Sequence, residues 1–326
     1  MSQRPLQQRS LIPGLLILTG ASILCSLFIG SASLSPSQVF NTLLGNGTAL
    51  EQTLVFDLRL PRTLVAFVTG ALLSIAGVLM QVLLRNPLAD PYVLGISGGA
   101  SLAALISMAL GFSTTLITSG AFSGALLSMF LVFILAKGPG GRSVNRLLLT
   151  GVVLAAGWGA LISFLLVISP TEKIYSMLFW LMGDLSYDRP LLPGFIILLL
   201  GILLTVPLYG QLNIMIWGEK QASSLGINIQ RLRLTIFFLA SFLTAGAVTI
   251  AGGIGFVGLI VPHFVRMLVG NDHKKLIPAS ALCGATLLIF ADIIARWAFA
   301  PLQLPVGVIT ALIGVPVFLY LLRQSR

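Results

Sequence analysis

The chain alternates long apolar runs with short polar intervals. Ten runs stand out, at roughly 11–30, 54–82, 92–111, 115–136, 147–168, 190–208, 232–251, 254–270, 276–298 and 306–323. Their length, about 18 to 25 residues, is what a helix needs to cross a bilayer's hydrocarbon core. Strands of a membrane barrel would instead alternate in polarity over about ten residues. The pattern therefore predicts an all-α polytopic membrane protein of about ten transmembrane helices, with residues 1–326 forming one transmembrane domain. Gly252, Gly253 and Gly255 interrupt the pair 232–251 and 254–270. They mark either a tight turn at the membrane face or a broken helix lining a cavity. The first run follows Arg4 and Arg9 as in a signal peptide, but no convincing small-x-small cleavage site follows it. It is read as a retained first span.

Composition agrees. Hydrophobic residues make up 57% of the chain and charged residues only 9%, against about 25% charged in soluble domains. The net charge of +10 reflects basic residues held on the cytoplasmic side. With the N-terminus inside, fourteen Lys and Arg fall on the cytoplasmic side and five outside, which accounts for all 19. The bias favours both termini inside. No compact basic patch with interleaved aromatics is present, so nucleic acid is set aside as a partner. Cys25 and Cys283 lie in separate apolar runs and read as buried small hydrophobes. Small residues recur at four-residue spacing, as at Gly120 and Gly124, which lets helix backbones approach closely in lipid. Segments 62–91 and 233–263 share a basic start, a small-residue stretch and a Pro-containing end, a faint sign of an inverted repeat.

Chemistry is sparse. No P-loop motif is present, so the chain does not hydrolyse nucleotide by a P-loop of its own. His263 and His273 are ten residues apart, without ligands at metal spacing. No catalytic grouping, cofactor site or metal site can be assembled. Asp292 lies inside an apolar run, four residues from Arg296, where the two can pair on one helix face. Arg59 and Arg62 flank Pro61 at the outer entrance of the second span, against the positive-inside rule, and Arg296 would share that face. Such guanidiniums suit either a partner's carboxylates or lipid headgroups.

The polar interval before the seventh span, about 212–233, holds one further pattern. Glu219 to Leu225 could form a short helix with Ala222 and Leu225 on one face, ended by Gly226. A surface helix between two spans suits receiving a push from a cytoplasmic partner. By pattern alone, a solvated connecting loop is the commoner reading.

Several motifs tip that balance: Arg59-Leu60-Pro61-Arg62, Gly77-Val78-Leu79-Met80-Gln81, Arg85-Asn86-Pro87-Leu88-Ala89-Asp90-Pro91, Trp180-Leu181-Met182-Gly183, Gly255-Phe256-Val257-Gly258-Leu259, and Leu304-Pro305-Val306-Gly307. With these the chain resembles, over nearly its whole length, the BtuC/FecCD-type permeases of binding-protein-dependent ABC importers for vitamin B12 and ferric siderophores. The resemblance implies a type II importer permease in a bacterial inner membrane. It implies a homodimer around one path, two copies of a separate cytoplasmic ATPase, and a periplasmic or lipid-anchored substrate-binding protein. It assigns ATPase coupling to Gly218, Glu219, Ala222, Ser223, Leu225 and Gly226, and binding-protein docking to Arg59, Arg62 and Arg296. It places the cytoplasmic gate at Val82, Leu83, Leu84 and Arg85. The second and fifth spans and a short outer helix near Met177 and Trp180 would line the path. Gln303 stands where many siderophore members carry an acidic residue. The implied cargo is a ferric siderophore or corrinoid, with haem or an oxyanion such as molybdate as alternatives. A proton-coupled secondary transporter and a membrane enzyme are the rival classes, and neither finds its polar constellation here.

Overall fold

The computed structural model describes residues 11–138, 143–185 and 191–324. Arg4 and Arg9 lie outside the described residues. In chain order its helices are α1 (Leu11–Phe28), α2 (Pro36–Leu43), α3 (Ala49–Gln52), α4 (Leu60–Leu83), α5 (Ile96–Ala109), α6 (Thr114–Leu135), α7 (Val144–Ile168), α8 (Thr171–Leu181), α9 (Leu191–Thr205), α10 (Tyr209–Met215), α11 (Glu219–Ser224), α12 (Ile229–Ala251), α13 (Val257–Val269), α14 (His273–Trp297) and α15 (Val306–Gln324). Ten of them match the ten apolar runs to within a few residues. Among the described residues, seven stretches are long and apolar enough to span a membrane, and Ile96–Ala109, Val257–Val269 and Val306–Leu321 are shorter. The other helices lie in the polar intervals. There α2 and α3 each begin with a capping box, Ser35 with Gln38 and Thr48 with Glu51, satisfying N–H groups that have no partner within the helix.

The centre of the fold is α4. Every residue from Val68 to Leu83 is buried, in contact with α12, α13 and α14. Lipid offers no hydrophobic drive for helix association, so close packing must supply it. Gly70, Ser74 and Gly77 form a small-residue face. A Cβ on Gly70 would strike the Gly284 carbonyl of α14, and one on Gly77 the Gly258 carbonyl of α13. Gln81 adds a polar tie, donating through Nε2 to the Leu259 carbonyl at 3.1 Å. The spacing noted at Gly120 and Gly124 serves the α5–α6 contact in the same way, with Gly124 against Gly99.

The N-terminal end of α4 continues from α3 through a π-helical stretch, Thr53–Arg59. The Leu60 N–H bonds to the Val55 carbonyl, five residues back. This widened turn makes room for the Pro61 ring, which in a regular helix would clash with the Asp57 carbonyl.

The glycine interruption is a broken helix. The chain leaves α12 at Gly252, with φ of 68°, and enters α13 through Phe256, with φ of 70°. This non-helical backbone is knitted to its neighbours. Asp184 N–H donates to the Ala251 carbonyl at 2.9 Å, and Ile254 N–H to the Tyr92 hydroxyl at 3.1 Å. Irregular backbone survives in a membrane protein when it is paired inside the protein like this.

Burial corrects one expectation about the path. The second span, α4, is enclosed within the protomer, whereas the fifth, α7, is almost bare, with Val153, Phe164 and Val167 exposed. Exposed surface along the span comes from α7, while α4 offers little outside its ends.

Gly77→Ala is expected to destabilise the protein by about 1–3 kcal/mol, the usual penalty for overpacking, seen as a lower Tm in detergent. Gly20→Ala, whose added methyl meets no neighbour, is expected to keep or slightly raise Tm, because alanine favours the helix.

Candidate functional site: charged clusters at the two ends of α4

At the α4 N-terminus three arginines meet around a cavity of about 280 Å³ whose lining includes Arg59, Arg62, Arg296, Gln303 and Asp184. They are differently employed. Arg59 is buried, and its guanidinium donates to the Leu27 carbonyl at 2.6 Å, to Phe28 at 3.2 Å and to Ala32 at 2.5 Å. It thereby caps the free carbonyls at the C-terminus of α1, where a cation is favoured.

Arg296 and Arg62 share Asp292. The expected pairing on one helix face is present: Arg296 Nε lies 2.8 Å from Asp292 Oδ2. The sequence did not show that Arg62 donates from Nε to the other carboxylate oxygen at 2.7 Å. Arg62 also reaches Gln303 Oε1 at 2.8 Å. Arg296 donates to Ser26 Oγ at 2.7 Å, and Ser26 bonds Thr63 at 2.7 Å, so α1, α4 and α14 are joined by one buried polar network. The cluster holds more positive than negative charge, and Gln303 does not offset it. The expectation of three outward-facing guanidiniums therefore needs correction. Arg59 and Arg296 are almost fully buried and occupied; Arg62, paired with Asp292 and Gln303, is the most exposed of the three, with 12% of its side chain exposed.

At the other end of α4 lies a second cluster. Glu219, the first residue of α11, is ion-paired with both Arg85 and Arg233. Arg85 follows the end of α4, and Arg233 lies in the first turns of α12. Burial and the nearby Arg233 pull the Arg85 guanidinium below its ordinary pKa. Of the four expected gate residues, Val82 and Leu83 are buried, Leu84 is half-buried and Arg85 is exposed.

The expected surface helix exists as α11. Ala222 is its one buried residue, while Gln221, Ser223, Ser224 and Leu225 are exposed. Leu225 does not share the buried face, a correction to the amphipathic pattern. It is the C-cap, and the chain has already left the helical course there. The stop works as expected. Gly226 has φ of 82°, its N–H bonds the Ser223 carbonyl, and the Ile227 N–H bonds Ala222. This is a Schellman ending built on glycine. Gly218, with φ of 113°, needs glycine for the same steric reason.

Met177 and Trp180 are fully buried within the protomer, so neither lines a path. The expected short helix is α8, and its exposed side chains include Tyr175 and Leu178.

Asp292→Asn is expected to cost about 3–5 kcal/mol, because it strands two mostly buried guanidiniums. Gln303→Ala, which removes only a neutral partner, should cost about 1 kcal/mol or less. Thermal unfolding in one detergent compares them.

Residues 16–324 match the FecCD transport family. The chain is 41% identical to the cobalamin import system permease protein BtuC of Halobacterium salinarum, covering 84% of this chain and 74% of that protein. It is 38% identical to the hemin transport system permease protein HmuU of Yersinia pestis, covering 98% and 97%. Its fold matches a solved metal-chelate type ABC transporter in an inward-facing conformation with TM-score 0.84 and 34% identity, covering 97% of this chain and 99% of that one.

Proposed function

We propose, from the premise that this chain belongs to the FecCD transport family, that it is the permease subunit of an ATP-driven importer whose cargo is a metal chelate or corrinoid. In this reading the protein works as a homodimer in a bacterial inner membrane, with both termini cytoplasmic. ATP hydrolysis resides in a separate cytoplasmic ATPase, present in two copies. A substrate-binding protein delivers cargo to the opposite face.

One observation carries the reading: α11 is a six-residue helix held between α10 and α12, with Gln221, Ser223 and Ser224 turned outward. A short helix fixed at both ends and bare on its outer side is shaped to be gripped by another protein. Gly218, Glu219, Ala222, Ser223, Leu225 and Gly226 form this coupling segment. A partner's grip there would bear on α10 and α12.

At the other face the positively charged cavity suits a carboxylate from the binding protein, bound in bidentate fashion. Arg62 makes that contact, and Arg59 and Arg296 hold its surroundings in place while adding positive potential. The gate lies at the Val82–Arg85 end of α4. The exposed face of α7 and the outer side of α8 flank the path between two copies. A bulky cargo suits a smooth apolar lining and leaves selection to the binding protein.

Proteoliposomes containing permease, ATPase and binding protein test the proposal. Loaded binding protein should stimulate ATP hydrolysis, and Arg62→Glu should abolish that stimulation; full stimulation of the variant would refute the docking role. Permease reconstituted alone should accumulate no cargo, and accumulation driven by a proton gradient would favour secondary transport.

A further inference from the structure

The clasp at the inner end of α4 joins two elements that are far apart in sequence, and the backbone beneath it is unusual. Helix α4 ends in the same hydrogen-bond pattern as α11. The Arg85 N–H bonds the Val82 carbonyl, and the Asn86 N–H bonds Gln81. In such an ending the residue after the C-cap takes a left-handed conformation, and glycine is the residue that takes it without strain. Helix α11 uses Gly226 there, whereas α4 uses Arg85, with φ of 47°. A side chain with a Cβ is disfavoured in that conformation, so stability alone does not account for arginine. What arginine adds is its reach to Glu219.

Glu219 is in turn overcommitted, because one carboxylate oxygen serves both Arg85 and Arg233. Removing the carboxylate would leave two like-charged guanidiniums facing each other across the vacated position. Arg85 also borders a cavity of about 260 Å³, lined by Gln81, Val82, Pro87, Ile216, Arg266 and Asn271. Arg266, the further cation on that cavity, would repel Arg85 if Glu219 withdrew. In the structure the clasp is closed: Glu219 is ion-paired with both arginines, and the trio keeps one net positive charge.

We propose that Glu219 and Arg85 form a releasable clasp through which movement of α11 is transmitted to the inner end of α4, making both positioning residues for transport. The proposal rests on the reading of α11 as the ATPase contact. It adds a specific charged link, so that displacement of α11 pulls on, or lets go of, the Val82–Arg85 segment.

The test uses the full complex of permease, ATPase and binding protein in proteoliposomes and reads cargo moved per ATP hydrolysed. Arg85→Gly relieves the backbone and deletes the charge. A merely structural Arg85 predicts a higher Tm and an unchanged transport ratio. The clasp predicts a higher Tm and a ratio about tenfold lower, the size of a typical coupling between sites. Glu219→Gln should lower the ratio similarly, and Arg85→Lys, which keeps the charge, should retain most of it. Normal coupling in Arg85→Gly and Glu219→Gln would overturn the clasp. A Ser223→Cys permease cross-linked to a cysteine-bearing ATPase checks the premise separately: a cross-link with normal coupling in the variants refutes the clasp alone, and no cross-link refutes the reading of α11 and the clasp with it.

Discussion

The structure depends on the close packing of α4. Its backbone lies against those of α13 and α14 through Gly77 with Gly258 and Gly70 with Gly284. In lipid, dispersion across such contacts replaces the hydrophobic drive that assembles soluble helices. The same closeness makes the contact intolerant, because a single methyl has no space. A helix held this way is hard to bend and has little freedom to slide independently of its neighbours.

Each end of that helix is pinned by an arginine that shares a carboxylate with a second arginine. At one face Arg62 shares Asp292 with Arg296; at the other Arg85 shares Glu219 with Arg233. The two differ in setting. Asp292 is fully buried and tied into a network with Ser26 and Thr63, so it behaves as a structural rivet. Glu219 is partly exposed and belongs to a short helix with little buried surface, so its contacts are cheaper to break. The asymmetry fits the proposed mechanism, in which the ATPase acts at the loosely held end and the binding protein docks at the firmly held one.

Much of this was legible in the sequence. Ten apolar runs gave ten helices because span length is fixed by the bilayer and charge is excluded from it. The π-helical stretch was not visible, since its cause is the Pro61 ring meeting a carbonyl, and proline alone does not say how a helix will relieve that clash. Asp292 and Arg296 could be paired from four-residue spacing. Arg62 joining them could not, because that contact spans 230 residues and depends on how α4 and α14 cross. Leu225 was placed on one face with Ala222 because helical periodicity was extended one residue past the end of α11. Met177 and Trp180 were placed on a path from resemblance, while packing put them in the core. The link from Glu219 to Arg85 had one available signal: an arginine at a helix end where backbone geometry asks for glycine.

The most direct test of the account is a pair of spin labels on Leu64→Cys and Asn86→Cys, near the two ends of α4, with a labelled cysteine on the ATPase as reference. Distances are measured by electron resonance in the complete complex with and without ATP. The account predicts that the distance between positions 64 and 86 stays constant while both distances to the ATPase label change together. A change between positions 64 and 86, or movement of one end alone, would contradict it.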